Sequence, residues 1–189
     1  MTETEQAPLP VINTAELSWG VAKKTKPIRV KPINTILADE TVAHKFLLAT
    51  LEGSQMLKAN SMVCIGDDDD AWQQTAEKLH KQYTPEAVDA DGWTTFVPKP
   101  EAVRDWAQIC FSDEFQEAHG TKFALIAQWG ERQSDGSFLQ YGEHGDYILR
   151  SADPDHGADS SELWDCWIVA RKIFEATYEK QKEESEEGS

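Results

Sequence analysis

Carboxylates that could hold a divalent cation cluster twice in this chain, at Asp67-Asp68-Asp69-Asp70 and at Asp153-Pro154-Asp155-His156-Gly157-Ala158-Asp159. Hard cations need several oxygens converging from spaced positions, with a glycine to turn the loop. Four adjacent acids cannot all converge on one ion, and Pro154 and Gly157 fall at odds with the spacing of a calcium loop. Both runs therefore read as solvated loops. His144 and Asp146 flank Gly145 and could form an acid–base pair, but an Asp in such a turn more often accepts from a turn amide. A third constellation is aromatic. In Trp72–Tyr83 and again in Trp167–Tyr178 the Trp and Tyr are 11 positions apart, with a large apolar residue (Leu79 or Phe174) four before the Tyr. These rings could line a ligand cleft or simply fill a core. The candidate binding residues are thus Trp72, His144, Asp146, Tyr147 and Trp167. No H-E-x-x-H, G-x-S-x-G, Walker or dinucleotide motif is present, and the five histidines share no spacing. No catalytic residue, metal or cofactor is expected on these grounds.

The chain that must position these groups has 189 residues, enough for one domain or two small halves sharing a core. An apolar fraction of 40% with seven Trp and seven Phe supplies that core. Formal net charge is −16; residues 1–32 carry +2, so the remaining 157 carry −18. Such a body repels phosphate backbones and anionic membranes, whose recognition needs Lys and Arg. Three cysteines, Cys64, Cys110 and Cys166, form no C-x-x-C pair and read as small buried hydrophobes in a reducing compartment. No apolar run approaches the ~18 residues of a membrane span, and the acidic start Met1-Thr2-Glu3 lacks the apolar core of a signal peptide. A cytoplasmic protein is the expectation.

Along the chain, residues 1–38 read as an extended arm anchored by Trp19. Its segment from Lys23 to Pro32 has five cations and no acid. Ile28 and Val30 should face inward and Arg29 and Lys31 outward, with Pro27 and Pro32 limiting the segment to a sheet edge. Residues 39–98 form a first half. It contains a strand or short helix at Thr41–Leu51, strands at Ser61–Ile65 and Trp72, a helix capped by Thr75 with Leu79 and Tyr83 inward, and a strand at Trp93–Val97. Residues 99–120 connect. Val103, Trp106, Ala107 and Cys110 fall at helical spacing, and a second short helix begins at Ser112 and ends at Gly120. Residues 121–178 form a second half, with a hairpin turning at Ser134–Ser137, a strand at Tyr147–Arg150, and a last strand at Trp167 leading into a helix with Phe174 and Tyr178 inward. Residues 179–189 should fray as an acidic tail.

The halves echo one another. Lys45-Phe46-Leu47-Leu48 matches Lys122-Phe123-Ala124-Leu125, Gly53 matches Gly130, and Met62-Val63-Cys64 falls near Tyr147-Ile148-Leu149. Two such units, each too small to bury a core alone, could pack about a pseudo-twofold axis. Gly145-Asp146-Tyr147-Ile148 and Phe174-Glu175-Ala176-Thr177-Tyr178-Glu179 resemble the PGDYG family of small proteins from bacteria and their phages. The resemblance spans about 40 residues. His144 stands where that family has Pro, and Ile148 where it has the final Gly. It implies a strand-and-helix unit and a phage or prophage setting, and it brings no catalytic residues.

The expected fold is α+β, with two related small antiparallel sheets, each carrying a short C-terminal helix. Three functions compete: an acidic interaction protein that binds a host or phage protein, a nucleic-acid mimic that occupies a DNA-binding groove, and a small-molecule-binding or hydrolytic protein with its site between the halves. A deep inter-half pocket with convergent polar groups would favour the last. The cations from Lys23 to Lys31 lie beside a body carrying −18 and are expected to serve that body rather than DNA. Gel shift at physiological salt should show no duplex binding; a specific shift abolished by changing these cations to Ser would reverse this reading.

Overall fold

Apolar and charged residues alternate between Gly20 and Pro32, and period two makes extended backbone with one face inward. The computed structural model, which describes residues 9–38, 47–50, 53–67, 70–151 and 166–181, has two strands there, β1 (Gly20–Lys24) and β2 (Ile28–Pro32). A one-turn helix α1 (Ile33–Leu37) and a hairpin of β3 (Leu47–Thr50) and β4 (Gly53–Met56) follow. Then come β5 (Ser61–Ile65), β6 (Ala71–Thr75), helix α2 (Ala76–Gln82) and β7 (Tyr83–Val88). The second series is β8 (Thr94–Pro98), β9 (Val103–Gln108), helix α3 (Asp113–His119) and a three-stranded sheet of β10 (Lys122–Ala127), β11 (Glu131–Arg132) and β12 (Phe138–Glu143). It closes with β13 (Tyr147–Ser151), β14 (Cys166–Val169), helix α4 (Arg171–Thr177) and β15 (Tyr178–Lys180). The fold is α+β, with all named strand pairs antiparallel.

Two five-stranded sheets have the same strand order. One runs β6-β5-β2-β8-β7 and the other β14-β13-β9-β1-β15. The first strand of each series lies in the sheet built by the other: β1 sits between β9 and β15, and β8 between β2 and β7. Registers agree residue for residue. Trp72 stands opposite Cys64 as Trp167 stands opposite Leu149, and Tyr83 stands opposite Pro98 as Tyr178 stands opposite Lys24. Met62-Val63-Cys64 and Tyr147-Ile148-Leu149 therefore occupy equivalent places.

Several expectations are corrected. The segment Ile28–Pro32 is the central strand of its sheet, not an edge, because Pro27 precedes it and Pro32 lies past the end of the ladder to β8. Val103–Gln108 is a strand. Pairing on both sides, with β1 and β13, outweighs a short helical spacing that included only one full repeat. Tyr83 and Tyr178 open strands rather than continue helices. Residues 179 and 180 are not part of a frayed tail: they pair with Lys23 and Ala22. The sheets also cut across the boundaries 1–38, 39–98, 99–120, 121–178 and 179–189. The arm supplies β1 to one sheet and β2 to the other, and the connector supplies β9 beside β1. The match at Lys45-Phe46 and the loop at Asp153–Asp159 lie outside the described residues.

The caps explain where the helices start. The Thr75 hydroxyl accepts from the Lys78 amide (3.2 Å) and the Ser112 hydroxyl from the Phe115 amide (3.2 Å). Helix α4 begins after Ala170, which has no capping side chain, so its first amide is capped from a distance by Asp146 (2.8 Å). One core layer holds Ala22, Tyr147, Leu149, Val169, Ile173 and Phe174 under α4. Behind that sheet, Ile109, Phe123, Leu125, Ile148, Cys166 and Ile168 pack with Ile12, Leu17 and Trp19. The other sheet buries Ile28, Val30, Cys64, Leu79, Tyr83 and Phe96. The fully buried Gln140 ties the three-stranded sheet to β14, accepting from the Ile168 amide (2.8 Å) and donating to the Trp129 carbonyl (3.2 Å). Gly20 is required by close approach, since a Cβ there would meet the Trp106 ring at 2.8 Å.

The Phe174 ring is 1% exposed and stacks between Tyr147 (3.8 Å between centroids) and Tyr178 (5.0 Å). Phe174→Ala should therefore cost ~3–5 kcal/mol in denaturant titration; a loss below ~0.5 kcal/mol would contradict this packing.

Candidate functional site: a cationic cavity between the sheets

Strand β6 at the edge of one sheet and strand β14 at the edge of the other face a common cavity of about 530 Å³. Its walls include both members of each equivalent pair, Trp72 with Trp167 and Tyr83 with Tyr178. The equal spacing explains this. Each Trp is the second residue of an edge strand, a seven-residue helix follows, and each Tyr opens the next strand. The 11-residue interval thus measures one strand end plus one two-turn helix, which returns the chain to the same end of the sheet. The hairpin regions close the sides, through Met56 and Lys58 in one series and Trp129, Gly130 and Phe138 in the other.

Among the described lining residues, cations outnumber acids: Lys24, Lys58, Lys78, Lys81 and Arg104 against Asp70. That balance inverts the formal charge of the whole chain, −16. Lys24 ends β1 and is held over the Trp72 ring, with Nζ 4.3 Å from its centroid and 5.5 Å from that of Tyr178. Arg104 stands opposite Ala22 on the neighbouring strand, so it shares a sheet face with Lys24. Its guanidinium carbon is 5.9 Å from the Trp167 centroid. Each equivalent Trp therefore meets a cation, an attraction between charge and ring quadrupole that grows with desolvation.

Enclosure sets the protonation of the groups here. Desolvation lowers the Lys24 ammonium to about 8, against the opposing pull of the Asp70 carboxylate; Arg104 lowers it further. Asp70 is raised by its own burial, with Lys24 opposing. Burial pushes the Cys64 thiol up to about 12, opposed by the hydrogen bond from Gln74 (3.4 Å) and by Lys24. Burial also pushes Tyr178 up to about 12 and raises Tyr83. Burial thus favours the neutral form of each group: the phenols, the Asp70 carboxyl and the Lys24 amine on the cavity wall, and the Cys64 thiol in the adjoining core.

The candidate residues read from sequence separate into two groups. Trp72 and Trp167 line the cavity. His144, Asp146 and Tyr147 do not. Tyr147 is 1% exposed, stacked on Phe174, with its hydroxyl accepting from Lys180 Nζ (3.2 Å). The Asp146 carboxylate accepts from the Glu143 amide (2.9 Å) and the Arg171 amide (2.8 Å). His144 Nδ1 accepts from the Phe111 amide (2.9 Å), so it and Asp146 are bonded to backbone rather than to each other. Gly145 turns the chain between them at φ +96°. Cys64 and Cys166 are buried as expected, but Cys110 is exposed. Asp70 belongs to the acidic run and reaches the cavity, its carbonyl accepting from the Gly66 amide (2.7 Å). No cluster of three metal-ligating side chains occurs among the described residues. Among them also, no helix is long and apolar enough to cross a membrane.

Lys24, Arg104 and Asp70 were hidden by their setting: each sits in a charged stretch with the look of solvated surface. One signal was available, because Lys24 occupies the inward phase of the alternation that buries Ala22.

An ammonium lowered from 10.5 to about 8 by burial disfavours the folded state while it stays charged. Above pH ~8 the folded chain sheds this proton first, the unfolded chain binds more protons, and stability rises with pH until ~10.5. Cys64 and Tyr178, raised on folding, act in the opposite sense over the alkaline range, so the lysine must be read by difference. Lys24→Met should be ~1–3 kcal/mol more stable than the parent at pH 7, with the gap closing between pH 8 and 10.5. A pH-independent gap in chemical denaturation would mean that the amine is solvated. No protein-family model, curated protein or solved structure matches this chain, so the cavity's own chemistry carries the functional reading.

Proposed function

We propose that this protein binds a small, planar, anionic molecule in the cavity between its two sheets. The observation that carries the reading is a cavity whose described lining residues include five cations, one acid and six aromatic side chains, set in a protein of net charge −16. Its volume of about 530 Å³ lies within the ~300–1,000 Å³ common for small-molecule pockets. Trp72 and Trp167 supply flat apolar faces, while the half-buried Lys24 and Arg104 supply charge, whose Coulomb attraction is stronger there than in open water. The surrounding negative surface would repel anions at long range, so affinity must come from contacts inside the cavity.

The matching strand orders support an origin by internal duplication, and the turn at Gly145-Asp146 supports kinship with PGDYG proteins as part of that proposal. The competing reading, an acidic protein that engages a host or phage protein or mimics nucleic acid, draws support from the formal charge alone.

The two are separated by titration with 1-anilinonaphthalene-8-sulfonate and its uncharged parent, N-phenyl-1-naphthylamine. The sulfonate should bind saturably at one site and at least ~10-fold more tightly than the parent, about 1.4 kcal/mol. Arg104→Met should bring the two probes together. No saturable sulfonate binding, or equal binding of both probes to the unaltered protein, would reject the anion site.

A further inference from the structure

The geometry points to Lys24 as a nucleophilic amine that condenses with an aldehyde or ketone carbonyl of the bound molecule to form an imine. This rests on the ligand-binding reading above and names the reactive class within it.

Comparison of the two sheets singles out this lysine. The place opposite Tyr178 in β15 is held by Lys24, and the equivalent place opposite Tyr83 in β7 is held by Pro98. The strand order and register are the same in both sheets, so the architecture itself accepts a residue without a charge there. Desolvation of an ammonium there costs stability, which the Trp72 ring and the Asp70 carboxylate offset only in part. The side chain lines the cavity rather than a closed core, and its Nζ is held between the Trp72 and Tyr178 rings. Lys24 is half-buried, and the cavity is where its side chain meets open space.

The groups facing the amine suit the reaction. They are Cys64 from β5, Asp67 and Asp70 from the loop after it, Arg104 from β9, and Tyr83 and Tyr178 from the two helix-to-strand junctions. With the ammonium lowered to about 8, roughly a tenth of Lys24 is unprotonated at pH 7, far more than for a solvated lysine. The lone pair of Nζ adds to the carbonyl carbon, and the π pair moves to oxygen, which takes a proton to give a carbinolamine. Nitrogen then releases a proton, the hydroxyl leaves with it as water, and C=N forms. No oxidant or reductant enters. Asp70, whose carboxyl burial raises above its ordinary value with Lys24 opposing, lies on the cavity wall where it can take up and return a proton. Arg104 provides a fixed charge for an anionic group on the carbonyl compound.

The test uses 2,4-pentanedione on the full chain. Imine formation with a 1,3-dione moves a proton from the carbon between the carbonyls and yields a conjugated enaminone, visible in the near ultraviolet. We expect one equivalent of enaminone, mapped by peptide mass to Lys24, with a rate rising through pH ~8 and slowed at least ~10-fold by saturating 1-anilinonaphthalene-8-sulfonate. Lys24→Arg keeps the charge and should lose the absorbance, while its tryptophan fluorescence and sulfonate titration report that fold and site persist. Should the guanidinium disturb the fold, Lys24→Met should likewise lose the absorbance, with tryptophan fluorescence alone reporting that the fold persists, because this change also removes a charge from the anion site. Labelling spread over surface lysines, or none at Lys24, overturns the imine proposal. If the sulfonate still binds in that case, the anion site stands without it. If the sulfonate does not bind but Lys24 is labelled, the amine chemistry stands and the anion reading falls.

Discussion

Strand β1 is inserted between β9 and β15, and its partners on both sides are residues 80 or more positions away. The rest of the molecule depends on that insertion. Without β1 the sheet carrying α4 would be split, β15 would have no partner, and Ala22 would leave the layer under Phe174. Strand β8 does the same service for the other sheet, filling the space between β2 and β7. The two sheets are thereby linked covalently in both directions, through the turn from β1 to β2 and the turn from β8 to β9. Neither series of elements completes its five-stranded sheet alone, which suits units too small to hold a stable core by themselves.

The same exchange creates the cavity. Because β1 crosses from one sheet towards the start of the other, its last residue, Lys24, is brought against Trp72 of the opposite sheet. The edge strands β6 and β14 remain unpaired on one side among the described residues, and their tryptophans close the gap from both directions. A symmetric arrangement of rings is thus fitted with an asymmetric set of charges: lysine on one side, proline in the matching place. Aromatic symmetry follows from topology, and the charge placement is the part the topology does not explain.

Fixed local hydrogen bonds support this arrangement from the other side of the second sheet. Asp146 holds both its own turn and the first amide of α4, and α4 in turn sets Tyr178 and the cavity's far wall. Arg150 and Asp105, directly opposite one another on β13 and β9, pair at 2.8 Å while only about a fifth exposed (21% and 19%). That pair lies against Trp19, whose ring is 4.1 Å from the Arg150 guanidinium carbon. The N-terminal arm is therefore attached through an apolar patch and a cation–ring contact, in keeping with the expectation that Trp19 anchors it.

The sequence alone carried the local facts. Alternation placed Ile28 and Val30 inward, Thr75 and Ser112 capped their helices, and the 11-residue Trp-to-Tyr interval marked two equivalent structural places, because strand phase, caps and helix length are written in neighbouring residues. The acidic balance was equally legible. Tertiary structure decided what depends on distant pairing. It made Val103–Gln108 a strand in spite of its helical spacing and put Ile28–Pro32 at a sheet centre. It also drew residues 179 and 180 out of an apparent tail and turned Tyr147 from a binding candidate into core. It alone gathered Lys24, Asp70 and Arg104 around one cavity. Main-chain hydrogen bonds carry no signature of their partner, and a charged residue reads as solvated until the fold removes its water.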